Sequence, residues 1–134
     1  MEIVSAGYQR VALVFGNIAA DRYVIARYLR LVGFNVIEMP DSVTKDTALN
    51  YSPDLVVIDL ECASENTASL SRELNARHDR ARIPIITVSQ KVSQSEKAMP
   101  FIRCFSDSHL EKPILKDKLF ALVNCISQNS ERCL

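Results

Sequence analysis

The chain has 134 residues, 48% of them hydrophobic, and its 16 Lys and Arg residues balance 16 Asp and Glu residues. This length suits one domain with one core, and the zero net charge excludes a global attraction to nucleic acid or anionic lipid. The three glycines are too scattered for a phosphate-binding loop, and the four cysteines match no CxxC or zinc-finger spacing. No apolar run reaches the ~18 residues of a spanning helix. We therefore expect a cytoplasmic protein with reduced thiols.

The first predicted strand follows an N-terminal arm, residues 1–9. Val11–Phe15 is a short, unalternating apolar run, which is typical of a strand covered on both faces of a parallel sheet. Asp21–Val32 predicts a helix that ends at Gly33 as its C-terminal cap. The apolar face of this helix is expected to comprise Val24, Ile25, Tyr28, Leu31 and Val32.

The next elements are an edge strand and a short helix. Phe34–Met39 alternates apolar and polar residues, as expected at the edge of a sheet. Asp41 or Ser42 can cap a second helix that continues to about Asn50. Pro53 then breaks the chain before the next apolar run.

The middle of the chain again alternates predicted strands with predicted helices. Leu55–Ile58 and Ile83–Val88 are unalternating runs and predict two more buried strands, separated by a helix over Glu65–Arg77. Ser93–Met99 indicates a fourth helix, which Pro100 would interrupt. These segments are long enough for the crossovers of a parallel sheet.

The last part of the domain has the weakest pattern at residues 101–107, which fit either a helix end or a strand. Pro113 is predicted to open a final helix, and residues 128–134 form a polar tail. The resulting order βαβαβαβαβα predicts a three-layer, doubly wound α/β domain over residues 10–127. The apolar stripe of the final helix comprises Leu115, Leu119, Leu122, Val123 and Ile126.

Chemistry in such a sheet gathers at the carboxyl ends of the strands, near the point where the strand order reverses. Gly16 and Asn17 follow the first strand, Asp59 and Ser89 come at the ends of the third and fourth, and Lys112 precedes the last helix. One carboxylate, one hydroxyl and one ammonium group are therefore expected at a single edge of the sheet.

Three stretches resemble the signature stretches of CheY-like response-regulator receiver domains in two-component signalling. They are Pro53–Asp59, Pro84–Ser89 and His109–Pro113, and their spacings are those of the family. The resemblance covers about residues 10–126. It implies a flavodoxin-like (βα)5 fold with a five-stranded parallel sheet in the order 2-1-3-4-5.

The resemblance also implies roles for four residues. Asp59 would accept a phosphoryl group from a histidine kinase, Ser89 would bind the phosphoryl oxygens, and Lys112 would pair with them. His109 stands where the family usually carries an aromatic residue that changes rotamer as the hydroxyl moves. Apart from the resemblance, Asp59 and Lys112 could be an ion pair at a strand end, Ser89 an ordinary strand-end hydroxyl, and His109 either a pH-responsive switch or a surface residue.

The sequence departs from the family at the first strand. Receiver domains carry two adjacent acidic residues there to hold Mg²⁺, and in this chain Gly16 and Asn17 take those places. Asp59 with an uncharged amide should bind Mg²⁺ weakly. The weak candidates for metal ligands are Asp59, Asn17 and Glu61. Asp21 or Glu61 could supply the carboxylate that Gly16 and Asn17 lack. We therefore expect no cofactor, and Mg²⁺ only if Asp59 is phosphorylated.

The leading hypothesis is a pseudo-receiver, a non-enzymatic signalling domain that acts through protein contacts without phosphorylation. Its partners would be signalling proteins, such as a histidine kinase or a downstream effector, or a second copy of the chain, with neither nucleic acid nor membrane. Four apolar residues near the fourth helix have two interpretations. They form a surface that contacts a partner, or they fill the core around this helix; the residues are Met99, Phe101, Ile102 and Phe105.

Two other hypotheses stay open. The first is a functional receiver that accepts phosphate at Asp59 in a phosphorelay. The second is a small flavodoxin-like cofactor binder, for which the first strand–helix turn lacks the hydroxyl and glycine-rich loop that a flavin would need.

Overall fold

The computed structural model describes residues 9–76, 83–90 and 98–132. Five strands alternate with five helices in this part of the chain. The strands are β1 (Val11–Phe15), β2 (Asn35–Met39), β3 (Leu55–Asp59), β4 (Ile85–Ser89) and β5 (Ser108–Glu111), and the helices are α1 (Ala19–Leu31), α2 (Lys45–Leu49), α3 (Glu65–Asn75), α4 (Ala98–Phe105) and α5 (Lys116–Arg132).

The strands form one parallel sheet in the order β2-β1-β3-β4-β5. This confirms the predicted doubly wound α/β fold and its strand order. Because the order reverses between β1 and β3, the residues that follow these two strands lie side by side at the carboxyl edge.

Two buried clusters cover the two faces of the sheet. On one face α1 and α5 pack against alternate sheet residues, with Leu29 and Leu119 fully buried between the layers. On the other face α2 and α3 cover the remaining sheet residues, with Ala48 and Leu74 fully buried. The sheet is therefore the middle of three layers, and its inner strands β1, β3 and β4 are unalternating because both of their faces are buried.

The predicted α1 is present, with Ile25 buried and Tyr28 and Val32 packed against the core as expected, but its ends and the centre of its buried face are shifted. The helix begins at Ala19, and its buried residues are Ile25, Ala26 and Leu29. Leu31, predicted to be in the core, is 62% exposed. The small side chain of Ala26 lets the helix lie close to the sheet, so the buried stripe is centred on this residue and not on the larger side chains beside it.

Three other element ends differ from the prediction. The cap of α2 is Thr44, whose hydroxyl accepts a hydrogen bond from Thr47 N, and not Asp41 or Ser42. Helix α3 ends at Asn75, and the predicted end at Arg77 lies outside the described residues. Strand β4 begins at Ile85 because Pro84 has no N–H to donate to a neighbouring strand.

The fourth and fifth helices also differ from the prediction. Helix α4 is described over Ala98–Phe105, so Pro100, predicted to interrupt the helix, lies within it; the predicted start at Ser93 lies outside the described residues. Helix α5 starts at Lys116 and not at Pro113, and it continues to Arg132, into the predicted polar tail. Leu115, which precedes α5, is 52% exposed. Among the described residues, no helix has the length and apolar character needed to cross a membrane.

Candidate functional site

The carboxyl edge of the sheet brings the predicted site residues together. Gly16 and Asn17 directly follow β1, Asp59 is the last residue of β3, and Ser89 is the last residue of β4. Lys112 follows β5, and its backbone N–H donates to Ser89 O at 2.8 Å. The topology thus places one carboxylate, one hydroxyl and one ammonium group at this edge, as predicted.

Three carboxylates surround the ammonium group of Lys112. Its Nζ lies 2.8 Å from Asp59 Oδ2, 2.9 Å from Asp21 Oδ2 and 2.6 Å from Glu61 Oε1. The Lys112 side chain is 10% exposed and that of Asp59 is 4% exposed, so their contact is shielded from water, whereas Asp21 and Glu61 are partly exposed. Although burial opposes the charged form, the hydrogen bonds to Asp59, Glu61 and Asp21 raise the pKa of Lys112 above its ordinary value.

Both carboxylate oxygens of Asp59 are already bonded. Oδ2 accepts from Lys112 Nζ, and Oδ1 accepts from Glu61 N at 3.1 Å, which caps the 3₁₀ turn Leu60–Cys62. Asp59 is 3% exposed. Burial raises the pKa of Asp59 above its ordinary value, and the contacts with Lys112 offset this only in part.

Glu61 bridges two loops. Its Oε1 accepts from Lys112 Nζ, and its Oε2 accepts from the backbone N–H of Gln90 at 2.6 Å. Burial alone would raise the pKa of Glu61, but the hydrogen bonds from Lys112 and Gln90 lower it below its ordinary value. Glu61 is therefore a charged carboxylate at neutral pH.

At the end of β1 the side chain of Arg22 lies against Gly16. The guanidinium of Arg22 donates from Nη1 to Gly16 O, and its Nε lies 3.6 Å from Glu38 Oε1. A Cβ atom at position 16 would lie 3.3 Å from Arg22 Cγ and 3.4 Å from Asp59 Cβ. Asn17 Oδ1 accepts from Asp41 N at 3.3 Å. Glycine at position 16 thus leaves room for Arg22 beside Asp59.

The candidate metal ligands are bonded to other groups of the chain. The weak candidates Asp59 and Glu61 bond to Lys112, and the amide of Asn17 bonds to Asp41. Within residues 9–76, 83–90 and 98–132, no group of three His, Cys, Asp or Glu residues is arranged to hold a metal ion. Asp21 and Glu61, predicted as replacement metal ligands, bind the ammonium group of Lys112 instead.

His109 joins two buried hydroxyls of β4. Its Nδ1 lies 2.7 Å from Thr87 Oγ1, and its Nε2 lies 3.0 Å from Ser89 Oγ. Ser89 Oγ donates to Gln90 O, so it accepts from Nε2–H. Thr87 Oγ1 is shared between His109 Nδ1 and Ser106 Oγ, which lies 2.8 Å away. Burial lowers the pKa of His109 despite the nearby carboxylates of Glu111 and Glu61.

The predicted partner surface on α4 is half-buried. Phe101 packs against the core cluster of α2 and α3, and its ring lies 4.9 Å from the Phe105 ring in an edge-to-face contact. Met99, Ile102 and Phe105 are also intermediate in exposure. Phe101 therefore packs against the core, as one of the two interpretations expects. A partner role for the surface as a whole stays a prediction.

Sequence reasoning missed three groups that complete the site: Arg22, Thr87 and the backbone N–H of Gln90. Thr87 could have been found, because residues two apart in a strand share a face, and Thr87 is directly beside His109 in the register of β4 and β5. No sequence signal indicates the contact of Gln90 N with Glu61.

The fold is similar to that of solved receiver domains. A response-regulator receiver domain (CheY-like) from Methanospirillum hungatei JF-1 matches with a TM-score of 0.70 and 15% identity, over 93% of this chain and 98% of that chain. The receiver domain of the sensor histidine kinase PA1611 from Pseudomonas aeruginosa PAO1, with a magnesium ion in its active-site cleft, matches with a TM-score of 0.66 and 18% identity, over 86% of this chain and 94% of that chain.

A longer protein also contains the fold. NtrX from Brucella abortus matches with a TM-score of 0.69 and 23% identity, over 92% of this chain and 27% of that chain. No protein-family model and no curated protein matches the sequence. The chain therefore has the fold of response-regulator receiver domains, at sequence identities that establish the fold alone.

Proposed function

We propose that the chain is a signal-transduction module of the receiver type that acts through protein contacts, independently of phosphorylation. The observation that carries this proposal is the set of contacts of Lys112, whose ammonium group binds Asp59, Asp21 and Glu61 together. The residue in the place of the phosphoacceptor is therefore held by an internal cation.

Charge supports the same conclusion. Phosphoryl transfer to a carboxylate brings two anions together, and a metal ion normally neutralises the transferring oxygens. In this site three carboxylates already share one ammonium group, and Gly16 and Asn17 add no negative charge that would attract a metal ion. A phosphoryl donor would meet a site with excess negative charge, and the candidate metal ligands are already bonded to Lys112 and Asp41.

The partners we propose are signalling proteins, either a histidine kinase or a downstream effector, or a second copy of the chain. One similar structure is the receiver domain of a sensor histidine kinase. The contact surface would include Met99 and Ile102 on α4, which are partly exposed. A cytoplasmic location and the absence of nucleic-acid and membrane partners belong to the same proposal.

The alternative function is that of a phosphoacceptor. It is favoured by one observation, the position of Asp59, Ser89 and Lys112 at one edge of the sheet. Incubation with acetyl phosphate and Mg²⁺, followed by intact-mass measurement, separates the two functions. We expect no mass gain in the wild-type chain or in Asp59→Asn, while a receiver domain with both acidic residues serves as the reagent control. A gain of one phosphoryl group that disappears in Asp59→Asn would establish the alternative.

A further inference from the structure

A cleft lies between the end of α1 and the middle of α5. Arg10 directly precedes β1 and Val32 directly follows α1, so the cleft reaches the amino edge of the sheet, opposite to the site described above. Its volume is about 460 Å³, within the range of roughly 300–1,000 Å³ that small-molecule sites have. The residues that line it are Arg10, Val32, Phe120, Ala121, Val123 and Asn124.

Most of the lining is apolar and is fixed by the core. Val123 is buried, and Val32 packs against the same buried cluster. Phe120 contacts Tyr28 of α1 edge-to-face, with the ring centroids 6.5 Å apart. Ala121, beside Phe120 on α5, has a short side chain that leaves part of the cleft open. The aromatic or aliphatic body of a small ligand would therefore contact walls that are already formed.

Two polar side chains complete the lining, the guanidinium of Arg10 and the amide of Asn124. The Arg10 guanidinium lies over the Phe34 ring, with Cζ 4.7 Å from the ring centroid, and this cation–π contact holds it at the edge of the cleft. A guanidinium presents a planar fork of N–H donors that matches the two oxygens of a carboxylate. Within the described part of the chain, no acidic side chain lines the cleft. The charge of the lining therefore favours an anion.

We propose that this cleft binds a small amphipathic monoanion, a carboxylate carried on an aromatic or aliphatic body. Arg10 binds the carboxylate, and Val32, Phe120 and Val123 contact the body. A ligand held in this way joins the start of β1 to α5 and to the end of α1. The site goes beyond the proposed function and does not depend on it, because the cleft shares no lining residue with the carboxyl edge of the sheet.

Titration of the full chain with phenylbutyrate tests the site through the backbone amide resonances of Val32, Ala121 and Asn124, at which we expect saturable shifts. Phenylbutyramide keeps the apolar body and lacks the charge, whereas butyrate keeps the charge and lacks the ring. Each of these two probes should bind at least about tenfold more weakly, the scale of a lost charged hydrogen bond or a lost buried ring. Absence of a saturable shift with phenylbutyrate, or equal affinity for phenylbutyrate and its amide, would overturn the proposal.

Substitution of Arg10 tests the cation. Arg10→Met should weaken phenylbutyrate binding by about tenfold, and Arg10→Lys, which restores a positive charge, should bind more tightly than Arg10→Met. Arg103→Met is the matched control, because it removes an arginine from α4, which does not line the cleft; its affinity should stay within about twofold of wild type. Unchanged affinity in Arg10→Met, or an equal loss in Arg103→Met, would contradict the proposal.

Ala121→Phe tests the location by filling the cleft from an exposed position of α5. The saturable shifts should disappear in this variant while the amide spectrum of the sheet is retained, and shifts that persist would place the binding elsewhere and overturn the proposal. The phosphorylation assay gives a separate answer. A phosphoryl gain would contradict the proposed function and not the cleft, whereas a failure to bind phenylbutyrate would overturn the cleft alone.

Discussion

Lys112 Nζ lies 2.8 Å from Asp59 Oδ2, so the last loop of the sheet edge is bonded to the end of its central strand. Asp59 is almost fully buried, and a buried carboxylate is stable in its charged form only with a bonded partner. Lys112 supplies that partner and simultaneously binds Asp21 and Glu61. The ammonium group is thus the shared counter-ion of three carboxylates at this edge.

Lys112→Met tests this role. The change keeps most of the unbranched side chain and leaves three carboxylates without their shared cation, so the free energy of unfolding should fall by about 3 kcal/mol at pH 7. The loss should shrink as the pH falls and the carboxylates become protonated. Urea unfolding at pH 7 and pH 4.5 measures both effects. The exposed Lys118→Met is the control, and an equal change in the two variants would contradict the role.

A carboxylate at position 16 should be unfavourable beside Asp59. The Cβ atom would lie 3.4 Å from Asp59 Cβ, so Gly16→Asp places a second negative charge next to a buried one. We expect it to be less stable than Gly16→Ala by about 1–3 kcal/mol at pH 7. Gly16→Ala has the same crowding against Arg22 without the charge. Equal unfolding free energies for the two variants would show that charge at this position is unimportant.

The lowered pKa of His109 predicts a pH dependence of stability. Its folded-state pKa lies below the ordinary value of 6.5, so the unfolded chain binds the proton more readily. The contribution of His109 to stability is therefore fully present above pH 6.5 and is lost as the pH falls through the folded pKa.

His109→Phe removes this titration while keeping a ring of similar size. The wild-type free energy of unfolding, minus that of the variant, should decrease between pH 7.5 and pH 5.5, as measured by urea unfolding. NMR titration of the His109 ring proton gives its pKa independently. Parallel pH profiles of the two proteins, or a His109 pKa above 6.5, would contradict the prediction.

Phe101 and Ile102 should respond differently to truncation. Phe101 packs against the core and against Phe105, so Phe101→Ala should lower the free energy of unfolding by about 2–3 kcal/mol, somewhat less than at a fully buried site. Ile102→Ala should cost less than about 1 kcal/mol if its side chain belongs to a contact surface. Chemical denaturation compares them, and a larger cost for Ile102 would place it in the core.

Much of the fold follows from the sequence because both faces of the sheet are covered. Unalternating runs such as Val11–Phe15 and Leu55–Ile58 coincide with strands or lie within them. The ends of elements are less predictable, since several residues can cap a helix. Thr44 caps α2 although Asp41 is an equally suitable residue type, and the difference depends on the path of the chain after β2.

The site was predictable to the level of the sheet edge. The positions of Asp59, Ser89 and Lys112 after their strands predicted their proximity, and Asp21 and Glu61 were recognised as extra carboxylates. Their convergence on Lys112 could not be predicted, because Asp21 is 91 residues away in sequence and on a different element. The cation that the carboxylates bind depends on side-chain geometry, which cannot be read from the spacing of residues along the sequence.

The most direct test of the central claim is a Mg²⁺ titration of the wild-type chain, followed through the backbone amide resonances of Asp59 and Glu61. Gly16→Asp/Asn17→Asp, which places acidic residues at both positions after β1, is titrated beside it. If Lys112 serves as the resident cation, the wild-type resonances show no saturable shift and those of the double variant do. A saturable shift in the wild-type chain would contradict the account.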